Sequence, residues 1–254
     1  MIPRLPREAP LHNVRSVVDD GSTEEGAFGA ETVARLRAAF EPHRAPEEAA
    51  KAAAYLRDQF PFIGLKTPLR RRLAHDALVD LRPSTQAELS SAVLALWAEP
   101  EREFHHTGTD LVRAHIGLVD ASFLPVLERL ITTKPWWDTI DVLGPQGVGP
   151  LARNDPSVVA VLDRWIVGPD IWLARAAILH QLTFKEETDV ERLFAYCRIR
   201  AADREFFLRK AIGWALRQHA ATDPDAVAAF LRSTPELSPL SVREAERGVA
   251  RARR

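Results

Sequence analysis

The stretch EFFLRKAIGWALR, residues 205–217, decides the fold. Wound at about 100° per residue, Leu208, Ala211, Ile212, Ala215 and Leu216 form one apolar stripe, and Phe207, Lys210, Trp214 and Arg217 share the opposite side. This is an amphipathic helix that must bury one face against another element. Its aromatic start recurs along the chain, as Phe104 in REFHHTGTDLV, Trp137 in WWDTIDVLG, Trp172 in IWLARAAILHQL and Phe207 itself, at separations of 33, 35 and 35 residues. Helical sequence repeating at that period predicts stacked helical hairpins, each burying its apolar face against its neighbours. Tetratricopeptide signature residues are absent, so the expected fold is an all-α HEAT-like solenoid, an α-α superhelix with equivalent helices lining one concave face.

The surrounding sequence agrees. Ala/Leu/Glu/Arg-rich segments with three- and four-residue apolar spacing are broken at Ala45-Pro46, Thr67-Pro68, Arg82-Pro83, Glu99-Pro100, Asp155-Pro156, Gly168-Pro169 and Asp223-Pro224. Alternating runs of Val, Ile and Thr, which strands would need, are missing. Residues 1–28, rich in Pro, Gly and charge, read as a dispensable tail, leaving 29–254 as one repeat domain. With 46% hydrophobic residues in 254, the chain can bury a sizeable core.

A single cysteine, Cys197, gives no disulfide framework and points to a reducing cytosol. No apolar run suits a membrane span or a signal peptide, so a soluble cytoplasmic protein is expected. The formal charge of −1 excludes a generally basic nucleic-acid coat protein. From Tyr196 to Arg254, however, 12 Lys and Arg face 7 Asp and Glu, a hint of a polyanionic partner.

Chemistry concentrates in a second stretch, TTKPWWDTIDVLG at 132–144. On a helix beginning near Pro135, Trp136 joins Ile140 and Leu143 as core, while Trp137 and Asp141, one turn apart, project together off that face. That pair is either an exposed aromatic with a solvated carboxylate or a working pair. Asp138, in the first turn, reads as a carboxylate favoured by the helix dipole. Arg175 falls near Leu179 and Leu182, so it is either snorkelling or paired with a carboxylate. Trp214 beside Lys210 and Arg217 suits a phosphate backbone with the indole on sugar or base, or else covers a neighbouring repeat. Aligning Trp172 with Phe207 brings Arg175 onto Lys210, which predicts a row of cations along the groove. GLKTPLRRRL starts a helix loaded with Arg70, Arg71 and Arg72, for phosphates or for solvent. His105, His106, His115 and His180 make no ligand pattern, and GPQGVGP at 144–150 lacks the flanking strand and Lys-Ser/Thr of a phosphate cradle and reads as a connecting loop. No metal and no cofactor are expected.

Six ordered segments, GLKTPLRR, LWAEPEREF, TTKPWWDTID, IWLARAAILHQL, EFFLRKAIGWALR and LSPLSVREA, together resemble the AlkD-type DNA alkylation repair glycosylases over roughly residues 30 to 250. That resemblance implies a monofunctional hydrolase of base excision repair. It would cleave the N-glycosidic bond of cationic N3- and N7-alkylated purines, of 3-methyladenine and 7-methylguanine type, in double-stranded DNA. The family's catalytic tryptophan, aspartate and arginine would be Trp137, Asp141 and Arg175, with Trp214 as its second DNA-facing tryptophan. Tyr55 keeps a position near the DNA, and Lys66, where a family member has glutamine, would add a phosphate contact; Lys210, Arg217 and Arg71 complete the expected DNA-binding set. The resemblance further implies a monomer, associated with the nucleoid, that works without enclosing a flipped base. A non-catalytic DNA-structure binder on the same solenoid is the alternative, and a protein scaffold a third; neither needs Trp137, Asp141 and Arg175 together.

Overall fold

The computed structural model describes residues 21–254, with side chains from residue 26 onward. Among these residues the chain is all-helical, without strands. The helices are α1 (Gly21–Phe40), α2 (Pro46–Tyr55), α3 (Thr67–Ala77), α4 (Gln86–Ala98), α5 (Arg102–Ala114), α6 (Leu124–Thr132), α7 (Trp137–Leu143), α8 (Gly149–Asn154), α9 (Pro156–Val167), α10 (Ile171–Leu179), α11 (Val190–Ile199), α12 (Phe206–His219), α13 (Pro224–Ser233) and α14 (Pro239–Ala252). All seven proline breaks fall at or between helix ends. Of the tail expected over 1–28, residues 1–20 lie outside the described residues. Residues 21–28 instead form the start of α1, which packs on α4 and donates the Gly29 amide N–H to the Ser91 hydroxyl oxygen at 3.1 Å.

Local chemistry sets the boundaries. Thr85 and Glu88 form a capping box on α4, and the side chains of Asp155, Asp170, Asp189, Asp223 and Ser238 accept from free amides at the starts of α9, α10, α11, α13 and α14. The helices then stack as a solenoid. In the inner row α3, α5, α7, α10, α12 and α14 each touch the next, while α4, α6, α9 and α13 pack behind. The repeated aromatics Phe104, Trp137, Trp172 and Phe207 each fall in the first turn of an inner helix, α5, α7, α10 and α12. The 33–35-residue period is therefore the distance from one inner helix to its neighbour.

One connection differs from expectation. GPQGVGP is not a loop: Gly144–Val148 is a π-helical turn joining α7 directly to α8. Pro145 has no N–H to give the carbonyl four residues back, that of Asp141, and its ring crowds that oxygen; a widened turn relieves both. Two of the segment's three glycines, Gly144 and Gly149, serve packing against α10. A Cβ at Gly149 would stand 2.3 Å from the His180 carbonyl oxygen, and one at Gly144 would meet the Ala176 backbone at 3.4 Å.

This close approach makes Gly149→Ala destabilising by about 2 to 3 kcal/mol, because backbone must move. Gly117→Ala, where an added Cβ meets nothing within 4 Å, shifts stability by less than about 0.5 kcal/mol. Thermal unfolding of the two variants checks this; equal melting temperatures would refute the packing role.

Candidate functional site

The segment that carries Trp136 and Trp137 is locked before α7 begins. Lys134, at φ 50°, lays its ammonium on the carbonyls of Trp97, Ala98 and Glu99 at the end of α4 (2.8, 3.1 and 2.6 Å). The Trp97 indole N–H returns a bond to the Thr133 carbonyl at 2.9 Å. Arg102, fully buried, donates to the Lys134 carbonyl at 2.9 Å and grips Asp138 with two bonds of 2.9 and 2.7 Å. His106 shares the same carboxylate at 2.7 Å. Asp138 is therefore more than a dipole partner: it ties α7 to α5. Burial opposes its ionisation, yet the Arg102 and His106 hydrogen bonds outweigh burial and hold its carboxyl well below the usual range.

One turn on, Asp141 faces α10. The Arg175 guanidinium donates Nε to Oδ1 at 2.8 Å and a terminal nitrogen to Oδ2 at 2.9 Å, while its other terminal nitrogen donates to the Phe207 carbonyl at the start of α12. Arg175 is 2% exposed. Of the two readings of this arginine, pairing with a carboxylate is the one observed. It does not join an open row of cations, because its guanidinium is buried and committed to protein acceptors. Burial raises the Asp141 carboxyl above its ordinary value against the pull of Arg175, and the Asp138 charge adds to the rise. Two carboxylates three residues apart are thus pushed in opposite directions, the pattern by which sites separate structural from reactive acids.

Trp136 packs inward, with ring contacts to Trp172 at 5.6 Å and Phe207 at 5.1 Å. Phe207, placed by the wheel with the exposed residues, belongs instead to this aromatic cluster, 4.9 Å from Trp172. Trp137 points the other way. Its ring meets Tyr55 edge-on at 5.7 Å, and Tyr55 is 73% exposed. Together with Lys66, Phe62, His106 and Asp138 they border an open cavity of about 550 Å³. Its far wall is the GLKTP loop, held by Glu103 of α5, which accepts from the amides of Ile63, Gly64 and Leu65 at 3.0, 2.8 and 3.1 Å. Gly64, at φ 102°, is required there; a Cβ would lie 2.2 Å from the Ala45 carbonyl.

The remaining expected residues are spread along the inner row. Lys66 is exposed, 3.4 Å from Glu48. Arg71 makes two 3.0 Å bonds to Asp110, a carboxylate also held by Arg70 at 2.7 Å and Arg113 at 3.1 Å. Lys210 (2.8 Å) and Arg217 converge on buried Glu244 of α14, joined by Arg247 at 3.2 Å. Trp214 is partly buried against the core and, among the described residues, makes no ring contact with Trp137 or Tyr55. The sequence reading missed Asp110, Glu244, Arg102 and His106, whose partners across the stack lie 27 to 40 residues away. Among the described residues no group of three His, Cys, Asp or Glu side chains converges on a metal site, and no helix is long and apolar enough to cross a membrane.

The family model described as DNA alkylation repair enzyme matches residues 36–248. A solved structure described as a predicted DNA alkylation repair enzyme from Enterococcus faecalis is similar, at 28% identity and a TM-score of 0.74, over 80% of this chain and 95% of that one. No curated protein matches the chain.

The Arg102–Asp138 pair yields a stability test. Asp138→Asn leaves a buried guanidinium uncompensated and costs about 3 to 5 kcal/mol at neutral pH. Because the folded carboxyl titrates below its unfolded value, its contribution is present above about pH 4 and is lost as pH falls. The gap between wild type and variant therefore narrows in acid, as denaturant titrations at a series of pH values will show.

Proposed function

The chain belongs to the DNA alkylation repair enzyme family, and on that premise we propose that it is a DNA glycosylase hydrolysing the N-glycosidic bond of cationic N3- and N7-alkylated purines in duplex DNA. One observation carries the proposal: Asp141, raised by burial and aligned by a two-pronged bond from Arg175, sits one helical turn from Trp137, whose ring borders an open cavity with Tyr55.

The chemistry fits these groups. An alkylated purine already carries positive charge, so it departs neutral as the C1′–N bond breaks and takes the bonding electrons with it. No strong general acid is needed. Positive charge then develops on the deoxyribose, where a fixed carboxylate stabilises it. Arg175 occupies one lone pair on each Asp141 oxygen and leaves others free, so the carboxylate can still face the sugar and align the attacking water. The water adds to C1′ and its proton passes through Asp141 to solvent, giving the free base and an abasic site. Arg175, buried, acts by orienting Asp141; the same geometry gives it no route to a phosphate. Trp137 offers an electron-rich face to the cationic lesion or sugar, with Tyr55 braced against its edge.

Binding falls to the cations around this centre. Lys66, Arg71, Lys210 and Arg217 would meet phosphates, and Trp214 would pack on the strand beside them. Each of the last two cations retains exposed surface although Glu244 holds it. The chain would work as a monomer on duplex DNA in the cytoplasm, at the nucleoid.

Incubation with methylated duplex should release free 7-methylguanine or 3-methyladenine. Asp141→Asn should slow release by about 100- to 1000-fold, the usual loss for removing a charge-stabilising group. Retained DNA binding with no base release by the wild type would instead favour a non-catalytic binder.

Because Asp141 must be ionised, kcat/KM should fall as pH drops through its raised pKa. Arg175→Gln removes the interaction that lowers that pKa, so the acid limb should move to higher pH. A merely structural Arg175 would lower the rate without moving the limb.

A further inference from the structure

A second cavity, of about 500 Å³, opens between the C-terminal halves of α3 and α5, away from Trp137. Four arginines, Arg70, Arg71, Arg82 and Arg113, line it against the single carboxylate Asp110. That carboxylate is already shared: Arg70, Arg71 and Arg113 all bond to it. Arg70 is 4% exposed and fixed further by Thr107 at 2.9 Å, so the cluster is built into the helix packing. Arg82 makes no ion pair among the described residues. Among the described residues the cluster therefore keeps a positive excess, four guanidiniums against one carboxylate. The floor is apolar, made by Leu78, Leu81, Pro83 and Leu111.

An apolar floor under a rim of guanidiniums matches a particular ligand chemistry. A free inorganic anion would leave the floor bare, and an apolar molecule would leave the charges unpaired. A deoxynucleotide unit satisfies both, with its phosphate taking forked hydrogen bonds and its sugar lying on leucine. Arg70 also borders the cavity of Tyr55 and Trp137, so the two sites adjoin along α3 and α5.

We propose that this second cavity binds one deoxynucleotide unit, its phosphate between Arg82 and Arg113 and its sugar against Leu78 and Leu81. The strand flanking a lesion is the source that the shared Arg70 favours, and in that form the proposal rests on the DNA reading above. A free mononucleotide offers the same chemistry.

The test compares wild type with the double variant Arg82→Gln/Arg113→Gln, using undamaged duplexes of increasing length and deoxyadenosine monophosphate as probes. The variant should bind the long duplexes about tenfold more weakly, with the slope of log affinity against log salt reduced by about one. Duplexes too short to reach from the Trp137 cavity should bind equally to both proteins. Arg82→Lys/Arg113→Lys should restore most of the slope, which a folding defect would not allow. Loss of mononucleotide binding with long-duplex affinity intact would support the site and make the free nucleotide its ligand. Unchanged affinity for both probes would overturn the proposal. Base release by the variant at saturating methylated duplex should match wild type. If wild type releases no base while the variant still loses long-duplex affinity, the glycosylase reading fails and this site stands.

Discussion

Successive inner helices are joined by guanidinium or ammonium groups meeting carboxylates, and the rest of the structure depends on those rungs. Arg70 to Asp110 joins α3 to α5, Arg102 to Asp138 joins α5 to α7, Arg175 to Asp141 joins α7 to α10, and Lys210 to Glu244 joins α12 to α14. Between α10 and α12 the acceptor is the Phe207 carbonyl, with Arg175 again the donor. Buried ion pairs add little net stability over apolar packing, because desolvation offsets their attraction. What they fix is register. A two-pronged bond between flat groups tolerates little sliding, so each rung sets how one repeat sits on the next.

The proposed catalytic carboxylate is itself one of these rungs. Asp138 and Asp141 lie on the same short helix and both meet a buried arginine, but Asp138 also receives His106 and is held low, while Asp141 has Arg175 alone and is left high. The extra donor and cation at Asp138, and the Asp138 charge that adds to the rise at Asp141, make one copy of the motif a fastener and leave the other as the proposed reactive acid. The fold thus places the proposed reactive group where a structural one would otherwise stand, and that group inherits the rigidity of the stack.

Much of this was legible in the residues. The period of aromatic helix starts and the proline breaks determine the solenoid, and the helical wheel separates Trp136 from Trp137 because a core-facing and a groove-facing position differ by one residue. Less legible was anything that depends on the next repeat. Asp138 looks like an ordinary first-turn acid until Arg102 is brought beside it, and Lys210 and Arg217 look like free cations until Glu244 arrives from α14. Phe207 reads as an outward residue for the same reason, since its partners Trp136 and Trp172 belong to other hairpins. GPQGVGP reads as a loop because glycine and proline usually end helices; here two of the glycines admit a neighbouring backbone and the prolines are absorbed by a wider turn.

That wider turn bears on how such a chain can change length. A π-turn holds one residue more than the α-helical turn it replaces, so removing a residue from Gly144–Val148 would restore regular winding. The wide turn takes up that residue without changing the register of its flanks, so the joined helix would keep nearly its present rotation. A residue added to the turn has no such outlet: the halves would rotate by about 100°, and with α8 pinned against His180 the rotation would carry Asp141 out of line with Arg175. A segment with the composition of a tolerant linker is therefore closed to insertion.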